Sequence, residues 1–473
     1  MELYPFRWDY MEVDLLLVWS STRNNEFMTK QKRIIIIGNG IAGVTAARHI
    51  RKNSDCKITV ISGETDYFYS RTALMYVYMG HMEFEHTQPY ENWFWEKNKI
   101  DLMKGWVTNV DFEKKSIKIE DKKSLAYDSL IIATGSVSNK FGWPGQDAIG
   151  VSGLYSKQDL EYITAQTQTT KRAVIVGGGL IGIELVEMLH SRGIEVTFLV
   201  RERSFWDIVL PKEESQMINQ EILDQHIDLR LETELKKIKT DSNNQVTSVI
   251  TSDGEEIECT FVGLTVGVSP NVNWLKGSGL ELNRGVLVNE YLETNIPDVY
   301  AIGDCAEHRN PSLGRRPIEQ VWYTGRMMGE VVASTITSDK TAYRPGIWFN
   351  SAKFFNIEYQ TYGTVKPELE SGESQFVWQS EDGKKLLRFV FETESMSVLG
   401  VNVFGIRMRH DVWDGWIANN RKINFVMKNL ELANFDPEFY KAHEFSIREK
   451  FNQEFDEIAV ENNRVSMIKR LFA

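Results

Sequence analysis

Short apolar runs rich in β-branched residues recur along the chain, each followed by a turn of small residues and then a stretch with helical character. Ile34-Ile35-Ile36-Ile37 is the first of them. Four consecutive isoleucines predict a strand covered on both faces, as in a parallel sheet. Gly38-Asn39-Gly40-Ile41-Ala42-Gly43 follows, and Val44 to Ile50 predicts a helix. The same order of events returns at Lys171 to Val176, Gly177-Gly178-Gly179-Leu180-Ile181-Gly182 and Ile183 to Leu189. Further buried strands are predicted at Ile58 to Ile61, at Ser129 to Ser136, which ends in the small residues Ala133-Thr134-Gly135-Ser136, and at Glu195 to Val200, and Phe261 to Asn271 repeats the strand-then-small-residue design with Gly267 in it. Alternation of such strands with helices predicts an α/β fold built on parallel sheets.

G-x-G-x-x-G between a strand and a helix is a dinucleotide fingerprint. Its first glycine permits the tight turn, the second lets a pyrophosphate approach the backbone, and the third lets helix and strand pack closely, with the phosphates at the positive helix end. Two such fingerprints imply two dinucleotide sites and passage of electrons between two nucleotides. The fold expected is therefore two Rossmann-like units, 29–150 joined by 266–345 and, inserted between them, 151–265. An α+β C-terminal domain, 346–473, follows. In that domain Leu386 to Phe391 and Ser397 to Phe404 predict adjoining strands, and Ile447, Phe451, Phe455 and Ile458 predict one apolar helix face. Such a face is usually core, with dimerisation the other option. Residues 1–28 are rich in Trp and Tyr without a clear period and read as an extension, with translation expected to start at Met28.

Charge and cysteine usage narrow the chemistry. A net charge of −12 from 54 basic and 66 acidic residues argues against a broad nucleic-acid footprint. No apolar run reaches the roughly 20 residues of a membrane helix, which makes a cytoplasmic address the default. Cys56, Cys259 and Cys305 are far apart, so no C-x-x-C or C-x-x-x-x-C redox pair is available, and they cannot hold an iron–sulfur cluster plus sirohaem. His81 and His86 have poor spacing for a metal, and no metal site is expected.

Several side chains stand where a nucleotide would need them. Glu64 lies 21 residues past Gly43 (64 − 43), where a ribose-binding acid is expected, with a solvated turn as the alternative. Arg71 can hydrogen-bond a pyrophosphate or be a surface charge. Arg201-Glu202-Arg203 follows the second strand of the second unit, where an acid favours NAD and arginines favour NADP. Both signals are present and the choice stays open, with the two arginines favouring tolerance of NADPH. Gly303-Asp304 ends a strand and can offer a carboxylate to a cofactor hydroxyl.

Taken in order, Gly38 to Gly43, Ala133-Thr134-Gly135, Gly177 to Gly182 and Gly303-Asp304 resemble the FAD-dependent pyridine nucleotide oxidoreductases built like glutathione reductase, over about residues 30 to 345. The resemblance implies FAD on the first fingerprint, NAD(P)H on the second and Asp304 on the ribityl chain. It is strongest to members without a redox disulfide: ferredoxin and rubredoxin reductases, apoptosis-inducing factor, and the flavin part of nitrite reductase. Tyr69-Ser70-Arg71 with Leu74 resembles their segment near FAD. Pro345 to Ser351, with Trp348, resembles the aromatic segment lying close to the flavin ring; for Trp348 a core position is the alternative. Those ferredoxin reductases pair a lysine with the glutamate matching Glu184, whereas Tyr76 occupies the lysine slot here. Glu184 is thus the candidate group near the hydride path, without that partner. The activity expected is hydride transfer from NAD(P)H to FAD, with electrons passed to a separate acceptor such as a ferredoxin, a rubredoxin or a small oxidant. The alternatives are a redox-responsive interaction protein and the flavin subunit of a larger complex.

Overall fold

The structure, a computed structural model, describes residues 31–120, 124–312, 314–435 and 441–461. The reading of residues 1–28, and of Met28 as a start, lies outside them. Three five-stranded sheets organise the rest.

The first sheet is parallel, with strands in the order Val299–Ala301, Ser129–Ile132, Arg33–Ile37, Lys57–Ser62 and Ile100–Lys104. Its central strand carries the four isoleucines. Ile34 and Ile36 point to one face and Ile35 and Ile37 to the other, and all four are buried. Burial on both faces is what the unbroken apolar run requires. The helix Ile41–Asn53 that follows packs along Trp322–Thr337. Gly329 makes this approach possible, since a Cβ there would sit 2.5 Å from the Ala42 carbonyl oxygen.

A second parallel sheet has the order Asp228–Arg230, Glu195–Leu199, Arg172–Val176, Phe261–Leu264 and Val151–Ser152. Two short antiparallel strands, Ser136–Ser138 and Val268–Pro270, lie where the chain leaves the first sheet and returns to it.

The third sheet is antiparallel: Phe349–Phe354, Ile357–Gly363, Val398–Phe404, Leu386–Glu392 and Glu373–Gln379. The predicted strand pair is its hairpin. Phe354, Tyr359 and Phe404 on this sheet share a core with Phe205 and Leu185 of the second unit. Arg388, only 2% exposed, joins the same two parts by donating Nε to Glu214 Oε1 at 2.6 Å. The last described helix, Glu444–Glu454, is shorter than the apolar period predicts. Phe455 caps it and Ile458 falls in a separate 3-10 turn, where the backbone leaves the helical conformation. All four apolar residues still pack on the third core, so this face is used within the chain.

Candidate functional site

Each fingerprint places two glycines in contact with backbone and one beside open space. At Gly38, with φ +115°, a Cβ would lie 2.0 Å from the Ala133 carbonyl oxygen; at Gly177, with φ +117°, it would lie 2.5 Å from that of Thr265. At Gly43 and Gly182 the obstacle is the Gly38 or Gly177 carbonyl oxygen, 2.1 Å away in both cases. At Gly40 and Gly179, by contrast, no atom of the described residues comes within 4 Å. These are the positions that a dinucleotide fingerprint keeps open for the approach of a pyrophosphate. The helices they begin, Ile41–Asn53 and Leu180–Ser191, have neither a side-chain cap nor an acidic residue in the first turn among the described residues. Their first backbone N–H groups and dipoles are thus available to an anion.

One cavity of about 950 Å³ collects most of the predicted residues. Gly38, Gly40, Ile41 and Ala42 line it with Glu64, Arg71, Ala133, Thr134, Gly135, Gly303 and Asp304. The second unit contributes Leu180, Ile181 and Glu184 to the same wall. Gly43, Gly177, Gly179, Gly182, Arg201, Glu202 and Gly267 lie outside it. Trp348 does too; it packs beneath the Arg315 guanidinium, 5.1 Å from the ring centre.

Glu64 and Arg71, read separately in the sequence, are one unit. Arg71 donates Nη2 to Glu64 Oε2 at 2.7 Å and Nη1 to the Tyr155 carbonyl, with its guanidinium 4.3 Å above the Tyr155 ring. Glu64 also accepts from the Tyr69 hydroxyl and from the Lys157 N–H at 2.9 Å. Burial alone would raise the Glu64 carboxyl, but Arg71, with the Tyr69 hydroxyl and the Lys157 N–H, outweighs it and holds it below the usual carboxylate range. The Glu64 carboxylate is therefore engaged by protein donors, and the pair closes one side of the cavity.

Asp304 is held by a network that sequence patterns do not reveal. Ser136 Oγ donates to Asp304 Oδ2 at 3.1 Å, Tyr155 OH reaches the same oxygen at 3.4 Å, and Gln320 Nε2 donates to Ser136 Oγ at 2.7 Å. Burial raises the Asp304 carboxyl above its ordinary range, against the Ser136 hydroxyl and Arg71. Ser136, Tyr155 and Gln320 lie from 19 to 184 residues away from their partners, and no local motif marks them.

Glu184 is a further acid in the wall. It forms no hydrogen bond or ion pair among the described residues. Burial, and then the charge of Glu187, push its carboxyl up to about 7. Glu187 itself is bonded by Lys353 Nζ at 2.8 Å. None of the three cysteines lines the cavity, and burial pushes the Cys259 thiol up to about 12. Among the described residues no cluster is suited to a metal, and no helix is long and apolar enough to cross a membrane.

Residues 32–329 match the family model described as pyridine nucleotide-disulphide oxidoreductase. The chain belongs to this family. It is an oxidoreductase of the FAD-dependent, NAD(P)H-binding kind, and the residues present suit both nucleotides: open space at Gly40 and Gly179, uncapped helix starts, and the buried Asp304 carboxyl. The nitrite reductase [NAD(P)H] of Bacillus subtilis is 32% identical over 85% of this chain, but the chain spans only 48% of that protein's length. The 5,5'-dehydrodivanillate O-demethylase ferredoxin reductase subunit of a Sphingobium species is 30% identical over 70% of this chain and 81% of its own. The NAD-dependent persulfide reductase of A. fulgidus has the same fold, with a TM-score of 0.80 and 24% identity over 90% of this chain and 84% of that one.

Proposed function

We propose that this protein takes reducing equivalents from NAD(P)H and passes them to a separate acceptor, a small redox protein of the ferredoxin or rubredoxin type or a small oxidant. The observation that carries the reading is convergence: Leu180, Ile181 and Glu184, on the helix of the second fingerprint, face the cavity that the first fingerprint and Asp304 line. A nicotinamide entering along that helix meets the flavin site with no long path between them. Bound FAD supplies hydride acceptance and onward release of electrons. The chain supplies position. Residues 29–150 and 266–345 serve as the FAD unit and 151–265 as the NAD(P)H unit. Asp304 holds a ribityl hydroxyl and the first N–H groups of Ile41–Asn53 hold the pyrophosphate. Arg201 and Glu202 receive the adenosine end of NAD(P)H. Leu180 and Ile181 exclude water beside Glu184, which stays largely uncharged below about pH 7. With no thiol in the cavity, a dithiol relay within the chain has no place in this scheme. Three free cysteines suit a reducing cytoplasm.

A second reading, the flavin portion of a larger reductase, is favoured by the match to about half of the Bacillus nitrite reductase. Steady-state assays with NADH or NADPH and a panel of ferredoxin, rubredoxin, quinone and oxygen separate the two. Repeated turnover with a soluble acceptor supports a free-standing reductase. Flavin that is reduced but not reoxidised by any of them supports the partner-dependent form, and absence of reduction overturns both.

A further inference from the structure

Trp106 lines the cavity and is 53% exposed, so it stands where the cavity opens to solvent. Its indole lies against the backbone of Gly63. A Cβ there would come within 2.2 to 2.6 Å of three atoms of the six-membered ring, so one face of the indole rests on the glycine and only glycine leaves room for it. The lining residues Ser62, Gly63 and Glu64 put this contact at the C-terminal end of the strand Lys57–Ser62.

The strand order gives the indole a direction. Trp106 follows Ile100–Lys104, one edge of the first sheet, whereas Asp304 follows Val299–Ala301, the other edge. Four strand spacings separate them, about 19 Å. The uncapped helix start at Gly40 follows the central strand, between the two edges. A flavin dinucleotide with its pyrophosphate at Gly40 and its ribityl chain at Asp304 therefore has its adenosine half on the Trp106 side.

We propose that Trp106 is the platform on which the adenine ring of the flavin dinucleotide stacks, with Gly63 as the support that holds the indole flat. This rests on the flavoprotein reading above. Stacking on an aromatic face needs no hydrogen-bond code, and the free indole face at the cavity supplies it.

The test uses the full-length protein, stripped of flavin and titrated separately with FAD, with FMN, which lacks the adenosine half, and with ADP, which lacks the flavin. Trp106→Leu keeps an apolar side chain without a ring, and Trp106→Phe keeps a ring. Trp106→Leu is expected to weaken FAD and ADP about tenfold or more while FMN stays within about twofold, and Trp106→Phe to remain within about threefold for all three. Equal weakening of FMN and FAD by Trp106→Leu, or weakening of neither, would overturn the inference while leaving the flavoprotein reading intact. A wild-type chain that binds neither FAD nor FMN overturns both.

Discussion

The two glycine fingerprints have nearly the same local geometry and very different surroundings. Gly38 and Gly177 share φ values of +115° and +117°, and Gly43 and Gly182 make the same 2.1 Å approach. Yet the first opens into a cavity closed by the Arg71–Glu64 pair, Tyr155 and the Asp304 network, all drawn from distant parts of the chain. The second ends in side chains facing solvent, with Arg201 67% and Arg203 89% exposed. A walled site suits a cofactor that stays, and an open one suits a substrate that exchanges each turnover. On the proposed reading the fingerprint supplies the phosphate cradle in both cases, and what surrounds it sets residence.

The largest expected effect is at Gly38. Gly38→Ala forces a Cβ onto the Ala133 carbonyl at positive φ, and should cost about 3–5 kcal/mol with loss of flavin, read as thermal shift and visible absorbance. Arg71→Met comes next. It leaves the Glu64 carboxylate without its cation in a largely enclosed position and should cost about 2–3 kcal/mol, reduced from the fully buried case because Arg71 keeps 30% exposure. The outcome that breaks the comparison is an Arg71 variant that keeps both stability and flavin.

The open glycines sharpen the comparison further. Gly40→Ala and Gly179→Ala meet no described atom, so both should fold normally. The first should lower flavin occupancy, and the second should raise KM for NAD(P)H about tenfold with flavin retained. Glu202→Ala should move the ratio of kcat/KM for NADH over NADPH toward NADPH by about tenfold, since an acid at this strand end favours the unphosphorylated ribose.

Glu184→Gln should have the smallest effect, visible only in pH dependence. The native carboxyl is raised to about 7 against an ordinary value of 4.5, so between these limits the folded chain binds more protons than the unfolded one. Stability should fall as pH rises through that window in the wild type, and the slope should flatten in the variant. Denaturant midpoints measured from pH 5 to pH 8 check this.

Much of the fold was legible because it rests on local patterns. The four isoleucines, both fingerprints and the hairpin from Leu386 to Phe404 carry their signals within a few residues. What escaped depends on distance in the chain. Ser136, Tyr155 and Gln320 meet Asp304 only after the sheet is assembled, and Arg388 finds Glu214 174 residues away. Glu64 was legible as an acid at the right spacing, while its engagement by Arg71 and Tyr69 was not, since either partner alone reads as a surface group. Gly329 likewise shows its role only in the assembled fold, where Trp322–Thr337 presses on the first fingerprint helix and a Cβ would meet the Ala42 carbonyl oxygen at 2.5 Å.

Anaerobic stopped-flow absorbance of the purified protein mixed with NADH or NADPH tests the central claim most directly. Two dinucleotide sites converging on one cavity predict rapid bleaching of the flavin band by at least one nucleotide, slowed at low nucleotide concentration in Gly179→Ala and unchanged there in flavin content. A protein that holds flavin and binds the nucleotide but leaves the flavin oxidised would contradict it.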